Sequence, residues 1–249
     1  MAKESRLKRR TFVKLCASAA AMITASPRLL AQDGGTVRRY QRTKLVDVEK
    51  RPIRVADLEE GENYLFHYPF ISTPCFLLNL GQPTAQQTLL KTEDGRPYLW
   101  EGGIGPRRTV VAFSAICAHK MTHPARAVSF INYRHKNVNF QDKDKNEAKR
   151  ASVIYCCSEK SVYDPGQGAR VLGGPAPQPL AAILLDYNEA DGSIDAIGTY
   201  GGDMFDKFFK EFSFRLQLEH QVTNVRQEVN GTTRVVKLTE YCATQVLCG

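Results

Sequence analysis

The chain has 249 residues, 43% apolar and 24% charged, an ordinary globular composition that excludes a disordered or fibrous class and suits one domain, with or without a small subdomain. Its net charge of +8 invites a nucleic-acid role, yet residues 1–31 hold seven of the 34 basic residues and one of the 26 acids. That leaves 27 basic and 25 acidic residues in a nearly neutral body, so no nucleic-acid partner is expected.

The basic start ends in Arg9-Arg10-Thr11-Phe12-Val13-Lys14, followed by the apolar residues 15–25 and a small-residue end at Leu29-Leu30-Ala31. The apolar stretch is shorter than the roughly 20 residues a spanning helix needs. An Arg pair, a polar residue, Phe, an apolar residue and Lys resemble the twin-arginine export signal. Residues 1–31 therefore read as a signal peptide, which implies a periplasmic protein or one on the periplasmic face of the inner membrane. A leader left uncleaved would serve as a membrane anchor.

Residues 32–52 are polar and basic and read as a loose linker arm. From Ile53 the pattern turns to strands: residues 64–68, 75–80 and 109–113, with Gly81 and Pro83 ending the second. Residues 134–150 are so densely charged that they read as a solvated surface insertion. Strand character returns at 151–155, 181–186 and 194–200, the last after the turn signal Asp191-Gly192. Met204, Phe205, Phe208 and Phe209 have helical spacing over 203–211. Residues 212–218 alternate strictly, as a half-buried strand does. Asn230-Gly231 predicts a hairpin between 222–229 and 233–238. The expectation is an all-β chain with a minor helix near the C-terminus.

Cys16 falls in the leader, leaving Cys75, Cys117, Cys156, Cys157, Cys242 and Cys248. An even count in a body of this size does not force a disulfide framework. Cys242 and Cys248 either pair with each other or are small buried residues. Two segments stand apart: Cys117-Ala118-His119 directly after a strand, and Cys156-Cys157-Ser158-Glu159-Lys160-Ser161-Val162-Tyr163-Asp164-Pro165, followed by Gly174-Pro175-Ala176-Pro177. A thiolate and an imidazole on one loop can reach one metal or adjacent cluster atoms, and that donor pair suits zinc, copper or iron–sulfur chemistry.

In combination, the two segments resemble the Rieske [2Fe–2S] domain, in which two Cys hold one iron and two His the other. Residues 66–69 and 184–198 are also similar to base-domain strands of arsenite-oxidase-type small subunits. The resemblance covers residues 53–202. It implies a β-sandwich base with a small rubredoxin-like cluster lobe at 113–178, and a C-terminal extension, 203–249, packing on the base. It makes Cys117, His119 and Cys156 metal ligands. Ser161 and Tyr163 become hydroxyl donors to the cluster or its sulfurs, and Gly174 and Pro175 part of the loop covering it.

The pattern departs from the family at the second box. The second His position falls on Glu159, the following Gly on Lys160, and the two loop cysteines on Thr122 and Ser158. The fourth ligand is thus Glu159, Cys157 or His123, the last otherwise a surface residue. The implied function is electron transfer by an exported [2Fe–2S] protein, a small subunit serving a larger redox subunit or a cytochrome-type partner. The alternative is a cluster-free subunit that keeps the fold for docking. No nucleophile–base set suggests catalysis by the chain alone.

Overall fold

The computed structural model describes residues 37–249. The signal peptide expected at 1–31 lies outside the described residues. The chain runs through β1 (Val37–Val46), a 3₁₀ turn (Val55–Asp57), β2 (Tyr64–His67), β3 (Pro74–Asn79), β4 (Thr88–Lys91), β5 (Pro97–Trp100) and β6 (Val110–Ser114). Next come β7 (Val128–Ser129), β8 (Ile131–Arg134), β9 (Val138–Gln141), β10 (Glu147–Arg150), β11 (Val153–Cys156), β12 (Ser161–Asp164), a second 3₁₀ turn (Pro165–Gln167) and β13 (Arg170–Gly173). The C-terminal part holds β14 (Ala182–Tyr187), β15 (Ile194–Tyr200), α1 (Phe205–His220), β16 (Gly231–Arg234), β17 (Val236–Lys237), α2 (Leu238–Tyr241) and β18 (Thr244–Gln245).

Eight strands form one mixed sheet in the order β16-β1-β15-β14-β6-β3-β2-β17. Its central strands alternate between two cores, as the period of two requires. Leu65, Phe76, Leu78, Val111 and Phe113 face one core, and Phe66, Cys75, Leu77, Val110 and Ala112 the other. The first core is shared with a four-stranded antiparallel sheet, β13-β12-β11-β8, which contributes Ile131, Tyr133, Ile154, Cys156 and Tyr163. This smaller sheet is the lobe that carries the second cysteine box. The architecture is mainly β, a large sheet with small ones and few helices.

Four local expectations are corrected. Residues 37–46 are not part of a loose arm. They form β1, antiparallel to β15 and parallel to β16, with Leu45 and Val46 buried. The charged run 134–150 is not an unstructured insertion either. It carries the β9–β10 hairpin, whose alternating Val138 and Phe140 are buried with Val153, Tyr155 and Val162. Asp142 Oδ1 accepts from the amides of Asp144 and Asn146 to close its turn, and Arg150 pairs with the buried Asp164 at 2.6 Å.

Residues 212–218 are helical, because Phe212 and Leu216 continue the stripe of Phe205, Phe208 and Phe209 at helical spacing. The alternation that suggested a strand leaves Phe214 and Leu218 exposed at 74% and 65%. Asp203 Oδ1 accepts from the Phe205 amide at the start of α1, and Gln221 ends it in the left-handed region at φ 54°. Asn230-Gly231 does not close a hairpin. Asn224 caps a turn within 222–229 by accepting from the Arg226 amide, and β16 instead joins β1.

Candidate metal centre

Two connections bring the cysteine boxes together. β6, paired along β3, delivers the segment from Ala115 to Cys117 at its end, where the Ala115 amide donates to Pro74 O. The loop then folds back on itself: the Cys117 amide donates to Thr122 O and the Met121 amide to Cys117 O. The second box sits on the β11–β12 hairpin, in which Cys156 is directly opposite Ser161 and Ile154 opposite Tyr163. That register leaves residues 157–160 as the tip. Lys160 adopts φ 57°, a left-handed conformation that any residue but Gly, Asn or Asp adopts at a cost.

Both thiols are buried in the shared core, and each perturbs the other's ionisation directly. Cys117 Sγ lies 3.2 Å from the Tyr163 hydroxyl, which also accepts from the Ala118 amide at 3.2 Å. The thiol of Cys117 is pushed down to about 6, first by its hydrogen bond with Cys156, against burial, then by Tyr163, the His119 amide and Ser161. Cys156 is pushed up, first by its bond to Cys117 and then by burial, although the Glu159 amide and Thr122 favour its thiolate. The pair therefore releases one proton readily and holds the second. A cation between the sulfurs would take that proton's place.

His119 and Glu159 close the mouth of the site. His119 Nδ1 is 3.8 Å from Glu159 Oε2, and Lys120 Nζ is 3.4 Å from Glu159 Oε1. Both the His119 and Glu159 side chains are about a quarter exposed, at 28% and 29%. His119 Nδ1 is nevertheless sealed from solvent without a hydrogen-bond partner. Such an orphan costs about 1–3 kcal/mol and is unusual unless a ligand uses it. Gly174, at φ +78°, packs so closely on the second box that a Cβ there would lie 2.6 Å from Ser161 Cα. Pro175 follows it on the exposed rim.

The structure removes one fourth-ligand candidate and packs another under α1. Cys157 is joined to Cys248 in a disulfide, so its sulfur is not a free thiolate, and the alternative pairing of Cys242 with Cys248 falls with it. Cys242 is instead a buried free thiol donating to Thr244 O, while β18 runs parallel to β7 and carries Cys248 on to Cys157. His123 is buried, not a surface residue. Its Nδ1 lies 2.9 Å from Met121 O, and its ring meets Phe208 and Phe212 edge-on at 4.8 and 5.1 Å. Glu159 is the candidate that faces His119.

Among the described residues, no three His, Cys, Asp or Glu side chains surround one point as ligands of a single ion. A groove of about 1000 Å³ beside the β9–β10 hairpin reaches Lys160 and Cys248 but none of the four donors.

No protein-family model matches the chain. Among solved structures, it is similar to the soluble domain of the Rieske protein II from Sulfolobus acidocaldarius. The identity is 28% and the TM-score 0.43, over 66% of this chain and 81% of that one.

The Cys157–Cys248 bond and the covering of the first loop by α1 could not be read from spacing. The partners lie 91 residues apart, and nothing local to either box signals the other.

Proposed function

We propose that the protein is a Rieske-type electron carrier whose [2Fe–2S] cluster is held by Cys117 and Cys156 on one iron and by His119 and Glu159 on the other. The observation that carries this reading is the convergence of two buried, mutually perturbing thiols with a sealed, unpartnered imidazole nitrogen and a carboxylate at one loop tip. Donors split two and two over a diiron centre do not need to surround one point, and the set combines soft thiolates with borderline and hard donors. When bound, such a cluster accepts and releases one electron at a time.

The chain's own residues set the conditions for that exchange. Tyr163 donates its hydroxyl proton to the Cys117 thiolate and stabilises added negative charge there. The amides of His119 and Glu159 do the same for the two sulfurs. Burial of both sulfurs excludes water, while the part-exposed His119 and Glu159 leave a path for an electron to a docked partner. A carboxylate in place of an imidazole adds negative charge beside the iron, which favours the oxidised state and lowers the potential relative to a two-imidazole site.

The partner of this reading is a larger redox subunit or a cytochrome-type protein. The leader motif at Arg9-Arg10 supports export to the periplasm. Among the described residues no helix is long and apolar enough to cross a membrane. Anaerobic reconstitution with iron and sulfide, followed by visible absorbance and EPR of wild type, Glu159→His and Glu159→Ala, tests the proposal. A coloured protein whose spectrum changes in both variants is the expected result. Colour with identical spectra would remove Glu159 as a ligand, and a colourless wild type would favour the cluster-free scaffold.

A further inference from the structure

The C-terminal segment contributes no donor to the site, yet it holds both loops that do. α1 lies along the first loop. Ile116, the residue before Cys117, is buried among Met204, Phe205, Phe208, Phe209 and Leu216, with Met121 and Phe212 against them. His123, at the loop's far end, is walled by Phe208 and Phe212. Glu219 Oε1 then accepts from the Arg126 amide at 3.2 Å, fixing the strand that leaves the loop.

The tail grips the second loop. The Ala243 amide donates to Arg126 O and the Val246 amide to Ser129 O, so β18 is stitched along β7. Asn132 Nδ2 donates to Val246 O at 2.9 Å, and Arg134 Nη1 to Cys248 O at 2.6 Å. The tail ends in the bond from Cys248 to Cys157, the residue immediately after the thiol of Cys156 and two before Glu159. The Cys157 amide in turn donates to Phe130 O at 2.7 Å. The two thiol loops touch through the Cys117–Cys156 pair, the Tyr163 hydroxyl and the Lys120–Glu159 ion pair. Each is also tied to one end of the same 45-residue stretch, 205–249.

We propose that residues 205–249 form a clamp that sets the geometry of the metal centre, with α1 fixing the first thiol loop and the Cys157–Cys248 bond fixing the second. Cys248 is then a positioning residue for Cys156 and Glu159, though it touches no metal. The role in cluster geometry rests on the electron-carrier reading, whereas the mechanical role, which loop each part of the segment holds still, does not. Loop tips held only by their own turn open locally, and a covalent tie from outside the turn removes that freedom.

Native-state hydrogen exchange on the iron-free full chain tests the clamp directly, comparing wild type, Cys248→Ser and Cys242→Ser. In Cys248→Ser, amides 157–161 are expected to exchange about tenfold faster or more, while 117–122 stay protected. Cys242→Ser, which removes a neighbouring thiol without breaking the bond, leaves both loops unchanged. Faster exchange confined to 244–249 overturns the proposal, because the tail would then be a passenger. A collapse of protection across the whole chain overturns it too, because the bond would then hold the fold and not the loop. In iron-loaded protein the Cys248→Ser change is expected to shift the EPR g-values, and unchanged g-values beside faster exchange would sink the positioning role. Failure of wild type to take up iron would defeat the electron-carrier reading while leaving the exchange result to decide the clamp.

Discussion

Tyr163 is the residue on which the two boxes meet. It sits fully buried on β12, opposite Ile154, and its hydroxyl reaches both Cys117 Sγ and the Ala118 amide. Tyr163→Phe keeps the ring and removes both bonds, which predicts a loss of about 1–3 kcal/mol of stability in the iron-free protein by urea denaturation. In the loaded protein the same change is expected to lower the reduction potential in film voltammetry, since the hydroxyl stabilises the more negative state. A potential unchanged by the substitution would place the hydroxyl outside the electronic site. Cys117, Cys156, His119, Ser161 and Tyr163 all stood out in the sequence, because loops that gather soft donors leave a dense local signal. Glu159 stood out only as a departure. That its carboxylate faces His119 is a matter of hairpin register, which no short pattern encodes.

At the scale of elements, three histidines on and around α1 tie stability to pH. His67 on β2 has Nε2 sealed from solvent, and its ring meets His220 at 5.1 Å and Tyr241 at 5.8 Å. Burial first, then the His220 and Arg126 charges, push His67 down from 6.5 to about 3. Burial likewise pushes down His220, against Glu219, and His123, against the bond to Met121 and the charge of Glu219. These rings fold neutral, so their contribution is complete above the unfolded value of 6.5 and is lost as pH falls, because the unfolded chain takes up protons that the folded rings refuse. For His67 the loss between pH 6.5 and 5 is about 2 kcal/mol, read as a falling denaturation midpoint in buffers across that range. A midpoint flat over that range would contradict the burial of these rings.

The same helix shows what the sequence hid. Residues 212–218 satisfy a period of two and a period of 3.6 at once, and only the Phe205–Phe209 stripe beneath them decides for the helix. The β9–β10 hairpin was masked in a similar way, its two buried residues, Val138 and Phe140, lost among lysines and aspartates. Phe208→Ala is expected to cost about 3–5 kcal/mol, because Phe208 is fully buried at the centre of this packing. Arg150→Ala, which leaves Asp164 buried and unpaired beneath the hairpin, should cost about 1–3 kcal/mol in the same urea titration.

Residues 37–249 form a large sheet and a smaller four-stranded one around a shared core, with the C-terminal segment lying against both donor loops. The strands of the large sheet were legible because aromatic and β-branched runs such as 64–68 and 75–80 are buried on both faces and need no polar alternation. β1 was not, because its exposed positions carry Arg, Gln and Thr and look like linker. The reading of the molecule as an electron carrier depends on two loops, 36 residues apart in sequence between His119 and Cys156, gripping one diiron centre. The most direct measurement is iron and sulfide content with EPR after anaerobic reconstitution of wild type beside Cys156→Ser. The account predicts about two irons and two sulfides per chain in wild type, a signal appearing on one-electron reduction, and neither in the variant. A wild type that stays iron-free and EPR-silent, or a variant that loads as well as wild type, would contradict it.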